Sequence, residues 1–245
     1  MTSAKARSPV FVTTHWSVVL AAAANSDTDK AQEALEKLCR NYWYPLYAYV
    51  RRRGQPAQDA QDLTQAFFAR LLERHWLETA NRERGRFRTF LLTAMQRFLC
   101  DEWDRMRAQK RGGGAAHVPV QLDDAESRYG CDPADDCTPE QIYERQWAMT
   151  LLDTVLQRLR AEYESQGDGK LFAELHACLV GNKESLPYAE LAARLETTEG
   201  AIKVAVHRLR KRYRKLLRTE IAQTLAANEN VDEELHHLFA VLSGK

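Results

Sequence analysis

Several features on which large classes of proteins depend are missing from the sequence. Its five cysteines form no Cys-x-x-Cys pair, and an odd number of widely spaced cysteines argues against a disulfide framework and a zinc site. No apolar run approaches the roughly 18 residues that a membrane span needs. GxxxxGK[ST] loops, GxSxG elbows and HExxH motifs are absent too. We therefore expect a cytoplasmic, non-enzymatic protein without metal, cofactor or membrane partner.

Net charge is also nearly absent, because 35 Lys and Arg are balanced by 34 Asp and Glu. Such a molecule has little long-range field to steer it onto DNA, so a nucleic-acid surface requires local segregation of charge. That segregation is present: residues 200–218 contain eight Lys or Arg and no acid, whereas residues 112–140 contain seven acids and one Arg. The first stretch is typical of a phosphate-facing helix and the second of a solvated linker.

Strand signals are nearly absent, and apolar residues recur at helical spacing, as at Leu63, Phe67 and Leu71. This pattern predicts an all-α protein with two small helical domains joined by a flexible acidic linker, since the linker cannot bury enough apolar surface to become ordered. Thr138 and Gln141 form a predicted capping box at the start of the second domain. The predicted segments are an N-terminal extension with a short helix (1–30), a helical bundle (31–111), the linker (112–137), the second domain (138–222) and an amphipathic tail helix (223–245).

The most specific pattern in the second domain is a helix-turn-helix. A short helix through Leu191 ends in a turn at Glu196 and Thr197, and Thr198 caps a second, strongly basic helix. In such a unit the N-terminal residues of the second helix reach base edges, and its later cations hold phosphates. The candidate DNA contacts are Thr198, Glu199, Lys203, Val204, His207, Arg208, Lys211 and Arg212. The alternative is an ordinary surface helix with a solvated basic face.

Residues 186–212, which include this motif, resemble region 4 of the extracytoplasmic-function (ECF) sigma factors of the sigma-70 family. In that family region 4 reads the promoter element near position −35. Val204 and Ala205 depart from the family pattern, which often has Ser and Arg there.

The first domain resembles the same family in two places. Residues 59–71, DAQDLTQAFFARL, are similar to region 2.2, whose helix docks on the clamp coiled coil of RNA polymerase. The implied polymerase-binding face consists of Asp62, Gln65, Ala66 and Ala69, and Ala66 stands where the family usually has Glu. Residues 81–105 resemble regions 2.3 and 2.4, which read the promoter element near −10. The implied DNA contacts are Arg84, Arg86, Arg88, Thr93, Gln96 and Arg97. Simple solvent exposure of a helix is the alternative for both faces.

The resemblance implies a sigma factor that binds core RNA polymerase through its clamp coiled coil and its flap, recognises the −10 and −35 elements of promoter DNA, and nucleates promoter opening. An anti-sigma factor or another regulatory protein is compatible with this role. The alternative function is that of a helix-turn-helix transcriptional regulator whose N-terminal domain senses a ligand, and which binds DNA without polymerase.

The tail beyond region 4 has a helical pattern of its own. Leu235, Leu238, Phe239 and Leu242 recur at i, i+3, i+4 and i+7, and the acids at 232–234 suit a helix N-terminus. The simpler interpretation is that this helix packs on the second domain as one more core helix. The other interpretation is that it bridges the two domains in the free protein and masks a polymerase-binding face.

Overall fold

The computed structural model describes residues 29–73, 76–80, 85–109, 129, 137–179, 187–225 and 229–244. Within these ranges the chain forms eight α-helices and two short 3-10 helices and no β-strand, which confirms the predicted all-α fold. The short helix predicted in the N-terminal extension, nearly all of the acidic linker and the candidate Arg84 lie outside the described residues.

The helices follow one another as α1 (Asp29–Arg52), α2 (Ala57–Glu73), α3 (Phe87–Gln109), α4 (Pro139–Ser165), α5 (Gly169–Leu175), α6 (Tyr188–Arg194), α7 (Glu199–Thr224) and α8 (Val231–Leu242). The 3-10 segments are Trp76–Thr79 and His176–Leu179. Contacts group the described residues into two compact units. The first contains the residues up to Leu151 together with those from Ile221 onwards, and the second is Leu152–Glu220. The segment boundaries derived from the sequence stay predictions.

The core of the first unit is built from aromatic and aliphatic side chains of α1, α2 and α3. Helix α1 packs along α2, and α2 packs against α3. Tyr42, Phe67 and Phe98 are fully buried, and the rings of Phe67 and Phe98 meet edge to face with their centroids 5.7 Å apart. Burial of each such side chain contributes roughly 1.5 to 3 kcal/mol before entropy is counted. The aromatic residues of this domain thus act mainly in packing, as their helical spacing predicts.

Two local signals place the helices that matter for the site. Gly85, just before α3, has a φ of +123°, a conformation that a β-carbon disfavours, and it lets the chain turn into the helix. At the start of α4 the predicted capping box is confirmed. The backbone N–H of Gln141 donates to the Thr138 hydroxyl at 3.2 Å, and the backbone N–H of Thr138 donates to the Gln141 side chain at 2.8 Å.

The second unit contains the helix-turn-helix. Helix α6 ends at Arg194, and the chain turns through Glu196, whose φ of +50° is unusual for a residue with a β-carbon. The Thr198 hydroxyl then accepts a hydrogen bond from the backbone N–H of Ala201 at 3.2 Å and caps α7, as the sequence predicts. Buried Leu191, Ala192, Ile202, Val206 and Leu209 hold the two helices together.

Candidate polymerase- and DNA-binding surfaces

The candidate polymerase-binding residues lie on one exposed strip of α2. Gln65, Ala66 and Ala69 are exposed, and the half-buried Asp62 accepts a hydrogen bond from the Gln58 side chain at 3.3 Å. The opposite side of the helix, with Phe67 and Leu71, is buried. The structure therefore brings the four candidates together on an accessible face with small side chains at its centre, where a partner helix can approach closely. Binding of polymerase to this face stays a prediction.

Two of the candidate −10 residues, Arg86 and Arg88, are engaged by carboxylates from distant parts of the chain. Arg86 lies just before α3, and its Nε is 2.9 Å from an oxygen of Glu229 while its Nη2 is 2.8 Å from Glu234. Arg88 is in the first turn of α3, and its Nε donates to Glu144 of α4 at 2.9 Å. Each of these arginines therefore contacts two acids.

Arg88 is a buried charged side chain of the first unit. It is 2% exposed, and Glu234 is fully buried. Arg88 Nη2 lies 2.6 Å from Glu234 Oε1, in ion-pair contact but without the angular geometry of a hydrogen bond. The guanidinium also stacks over the ring of Trp147, 4.1 Å from its centroid. Burial works against the charged form, but Glu144 and Glu234 outweigh it and hold the pKa of Arg88 above its ordinary value.

The remaining described −10 candidates follow along α3. Gln96 is half-buried, and its Nε2 donates to Glu140 of α4 at 3.3 Å, while Glu140 also accepts from the Tyr49 hydroxyl at 3.5 Å. Thr93 is exposed, and its hydroxyl donates to the backbone carbonyl of Thr89. Arg97 is exposed. Thr93 and Arg97 thus present a free surface in this conformation, whereas Gln96 faces an acid.

The sequence interpretation missed these acids. The sequence pattern places Glu140 and Glu144 in a separate domain, and the helix dipole alone accounts for the acids at 232–234. The cap of α8 is in fact Asn230, whose side chain accepts from the backbone N–H of Asp232 at 2.8 Å. The ion pairs span up to 148 positions, from residue 86 to residue 234, so local spacing does not indicate them. The available sequence signal is the density of arginines in residues 82–88, which calls for acidic partners elsewhere in the chain.

Helix α8 does not pack on the predicted second domain alone, because its described contacts reach both predicted domains. Helix α8 belongs to the first unit, and its described polar contacts are with Arg86, Arg88 and Glu144, the last through His237 Nε2 at 3.7 Å. Leu238 is buried. The physical reason is that Glu234 finds two arginines there, an interaction that apolar periodicity alone does not reveal. The tail thus contacts Arg86 and Arg88 of the predicted first domain and Glu144 of the predicted second domain. Its described polar contacts do not include the α2 strip, so the masking of a polymerase-binding face stays a prediction.

The first turns of α7 present the candidate −35 residues. Thr198, Glu199, Lys203, Val204, His207, Arg208 and Lys211 are all exposed, and Val204 is half exposed although it is apolar. Glu199 and Lys203 pair weakly along the helix at 3.9 Å. This surface carries the mixture of polar, cationic and apolar side chains that base edges require.

Arg212 differs from the other candidates of α7. Its Nε and Nη2 donate to the two oxygens of Glu162 on α4, both at 2.7 Å, and this bidentate pair holds the pKa of Arg212 above its ordinary value. Arg210, in turn, donates twice to the backbone carbonyl of Cys178. These two cations therefore stabilise the second unit, and the structure gives Arg212 a partner that DNA would have to replace.

A basic groove of about 450 Å³ opens beside the recognition surface. It is lined by Tyr188, Lys203, Val206, His207, Arg210, Lys211 and Arg214. The sequence interpretation did not single out Tyr188, which enters the groove from α6. A groove with four cations and a phenol suits a phosphate oxygen rather than an apolar ligand.

Other kinds of site find no support in the described part of the chain. No group of three or more His, Cys, Asp and Glu side chains that could hold a metal ion occurs among the described residues. Four cysteines, Cys39, Cys100, Cys137 and Cys178, are free thiols. None of the described helices combines the length and apolar character needed to cross a membrane.

Comparison with known proteins agrees with this geometry. Residues 38–111, which contain the α2 face and the start of α3, match the family model for sigma-70 region 2. The ECF RNA polymerase sigma factor SigE of Mycolicibacterium smegmatis is 24% identical over 194 residues, a match that covers 79% of this chain. The match covers 65% of that relative's length. No solved structure matches the chain. Residues 38–111 are thus similar to sigma-70 region 2, and the chain is similar to an extracytoplasmic-function sigma factor.

Proposed function

We propose that this protein is a sigma factor that binds core RNA polymerase, recognises the −10 and −35 promoter elements and nucleates promoter opening. The observation that carries the proposal is the match of residues 38–111 to sigma-70 region 2. That segment contains both the exposed strip of α2 and the arginine-rich start of α3, so one small bundle offers a protein-binding face and a DNA-binding face. The protein would act as an initiation factor and not as an enzyme.

Polymerase binding is assigned to the strip of α2 formed by Asp62, Gln65, Ala66 and Ala69. The two alanines keep the centre of the strip shallow, and the carboxylate and amide beside them supply hydrogen bonds at its edge. This arrangement suits a helical partner such as the clamp coiled coil. The second unit, with its helix-turn-helix, is assigned to the flap and to the −35 element.

The energetics of promoter opening explain why the protein needs the polymerase. Separation of about ten base-pair steps costs on the order of 14 kcal/mol at ~1.4 kcal/mol per step. Capture of one unstacked base returns only ~1 to 3 kcal/mol. The protein can therefore nucleate a bubble through the segment before α3 and α3 itself, but the remaining strand contacts have to come from the polymerase.

Recognition of the −35 element is assigned to the first turns of α7. Lys203 and His207 can donate to base edges, and the exposed Val204 can contact a thymine methyl group. Arg208, Lys211 and the cations of the adjoining groove would hold phosphates, which contributes affinity and salt dependence without sequence information.

The other candidate function is a helix-turn-helix regulator that binds an operator without polymerase. It accounts for α6 and α7 equally well but gives no role to the α2 strip. The two functions differ in a simple observation, since a regulator binds its specific DNA alone, whereas a sigma factor requires the core enzyme to do so.

Association with purified core polymerase tests the proposal. Asp62→Arg and Gln65→Ala should weaken the association at least tenfold, because each removes an edge contact of the strip. Asp101→Arg is the matched control, since it reverses an exposed carboxylate on α3 outside the strip and should leave the affinity unchanged. Circular dichroism checks that each variant is folded. Wild-type affinity in both strip variants would refute the assignment.

A further inference from the structure

Four carboxylates from outside the α1–α3 bundle contact the candidate −10 residues. Glu140 and Glu144 come from the first two turns of α4, Glu229 precedes α8, and Glu234 lies in its first turn. We call these four acids the clasp. Three of the five described −10 candidates, Arg86, Arg88 and Gln96, have a clasp acid as a partner.

The clasp acids lie at the guanidinium nitrogens that a DNA phosphate would use. Nε and Nη2 of Arg86 face Glu229 and Glu234, and Nε and Nη2 of Arg88 face Glu144 and Glu234. These two nitrogens are the donors with which arginine engages a phosphate. Since the same donors cannot serve both anions at once, a phosphate reaches Arg86 or Arg88 only after a clasp acid has left.

Burial distinguishes the clasp from adventitious surface ion pairs. An exposed pair is worth little, because water solvates both charges and the side chains lose freedom. Here Glu234 is fully buried and Arg88 is 2% exposed. A buried carboxylate that serves two arginines holds the register of α8 on the bundle, because any other register leaves one of the charges buried without a partner.

The clasp leaves the candidate polymerase-binding strip open. Gln65, Ala66 and Ala69 stay exposed in the same conformation in which Arg88 is covered. Binding of polymerase thus needs no opening of the clasp, whereas reading of the −10 element does.

We infer that the tail helix α8, together with the start of α4, is an autoinhibitory clasp that occupies the −10 reading residues of the free protein and that DNA has to displace. The inference rests on the proposed function. It gives the tail a role, because α8 lies beyond region 4 and brings the acid that contacts both arginines. It also gives the order of events: polymerase docks on the exposed strip of α2 before the −10 residues become available.

The test compares two lysine substitutions on the same helix of the full-length protein. Glu234→Lys places a cation against Arg86 and Arg88 and should expel the tail. Glu233→Lys changes the net charge equally at the adjoining exposed position and should not. The probe is a fluorescein-labelled single-stranded DNA of about 20 nucleotides and random sequence, and its anisotropy is followed between about 50 and 200 mM salt.

Two freed phosphate contacts should steepen the slope of log affinity against log salt by about 1.4, at ~0.7 per contact on single strands. At about 50 mM salt we expect E234K to bind roughly tenfold tighter than E233K or more. Hydrogen exchange at residues 231–242 should rise in E234K alone. If E234K fails to fold, Glu234→Gln replaces it, with Glu233→Gln as its control and an expected gain of roughly threefold.

The outcomes separate the two proposals. Equal, measurable binding by E234K and E233K would overturn the clasp and leave DNA reading by α3 intact. Absence of binding by every variant, with the tail released in E234K, would overturn DNA reading and the clasp with it. Tighter binding by E234K together with unchanged exchange in α8 would also contradict the clasp, because the gain would then not come from release of the tail.

Discussion

Replacement of Arg88 by Met should destabilise the first unit by an amount that the structure allows one to estimate. The substitution keeps an unbranched side chain of similar reach but removes the guanidinium, and with it the contacts to Glu144 at 2.9 Å and to Glu234 at 2.6 Å. Glu144 is 22% exposed, so water can solvate its released charge. Glu234 is fully buried and keeps only Arg86 as an ion-pair partner among the described contacts. Breaking a buried pair by removing one partner costs about 3 to 5 kcal/mol, and we expect the lower value, about 3 kcal/mol, because Arg86 remains.

The tail sets an upper limit to this cost. If detachment of α8 costs less free energy than keeping the unpaired carboxylate of Glu234 buried, the tail detaches and Glu234 becomes solvated. The loss of stability then equals the free energy of tail docking. The two responses differ in hydrogen exchange, since detachment releases residues 231–242 alone, whereas global destabilisation also speeds exchange in α1 and α2.

Urea unfolding followed by tryptophan fluorescence measures the effect, because the guanidinium of Arg88 lies over the ring of Trp147. Arg97→Met is the control, as an exposed arginine of the same helix, and should change the free energy of unfolding by about 0.5 kcal/mol or less. The double variant R88M/E234Q should be less unstable than the sum of its single variants by about 2 kcal/mol, the coupling expected of residues in direct contact. Two results would refute this account of the buried pair. One is a decrease in the free energy of unfolding of R88M below about 1 kcal/mol with unchanged hydrogen exchange in α8, and the other is strict additivity of the R88M and E234Q effects in the double variant.

Three further predictions concern other parts of the molecule. Arg214→Ala should reduce the slope of log affinity against log salt, for DNA binding in the polymerase complex, by about 0.9. Arg212→Ala should change this slope less and should lower the melting temperature, because Arg212 is already held by a carboxylate of α4. Equal slopes for the two variants would contradict this difference. Burial raises the pKa of the Cys39 thiol to about 11, so iodoacetamide at about pH 8 should modify the exposed Cys100 first, as mass spectrometry of early time points would reveal. Thr138→Ala removes one half of the capping box of α4 and should lower the free energy of unfolding in urea by about 1 kcal/mol. An unchanged free energy of unfolding would show that this cap does not stabilise α4.

Much of the fold follows from local signals in the sequence. Helical periodicity places Phe67, Leu71 and Phe98 in the core, and cap residues place the start of α4 at Thr138 and of α7 at Thr198. These predictions succeed because a cap or an apolar stripe depends on residues only three or four positions apart.

The association of the tail with α3 could not be predicted in the same way. It depends on Glu234 meeting Arg86 and Arg88 across nearly 150 positions, and nothing in local spacing specifies such a pairing. The candidate surfaces likewise combine features that local spacing predicts with features that depend on long-range packing. The α2 strip and the exposed face of α7 follow from helix geometry, whereas the engagement of Arg88 by Glu144 and of Arg212 by Glu162 follows from packing between distant helices.

Transcription with purified components tests the central proposal most directly. Core RNA polymerase would be supplied with a library of double-stranded templates that carry randomised upstream sequence, with and without the protein, and the transcripts would be sequenced. A sigma factor should yield transcripts only when it is present, with start sites downstream of two conserved elements near −10 and −35, and Asp62→Arg should abolish them while Asp101→Arg should not. Transcripts that are independent of the protein, or specific binding of the library by the protein without polymerase, would contradict the proposal and favour the helix-turn-helix regulator.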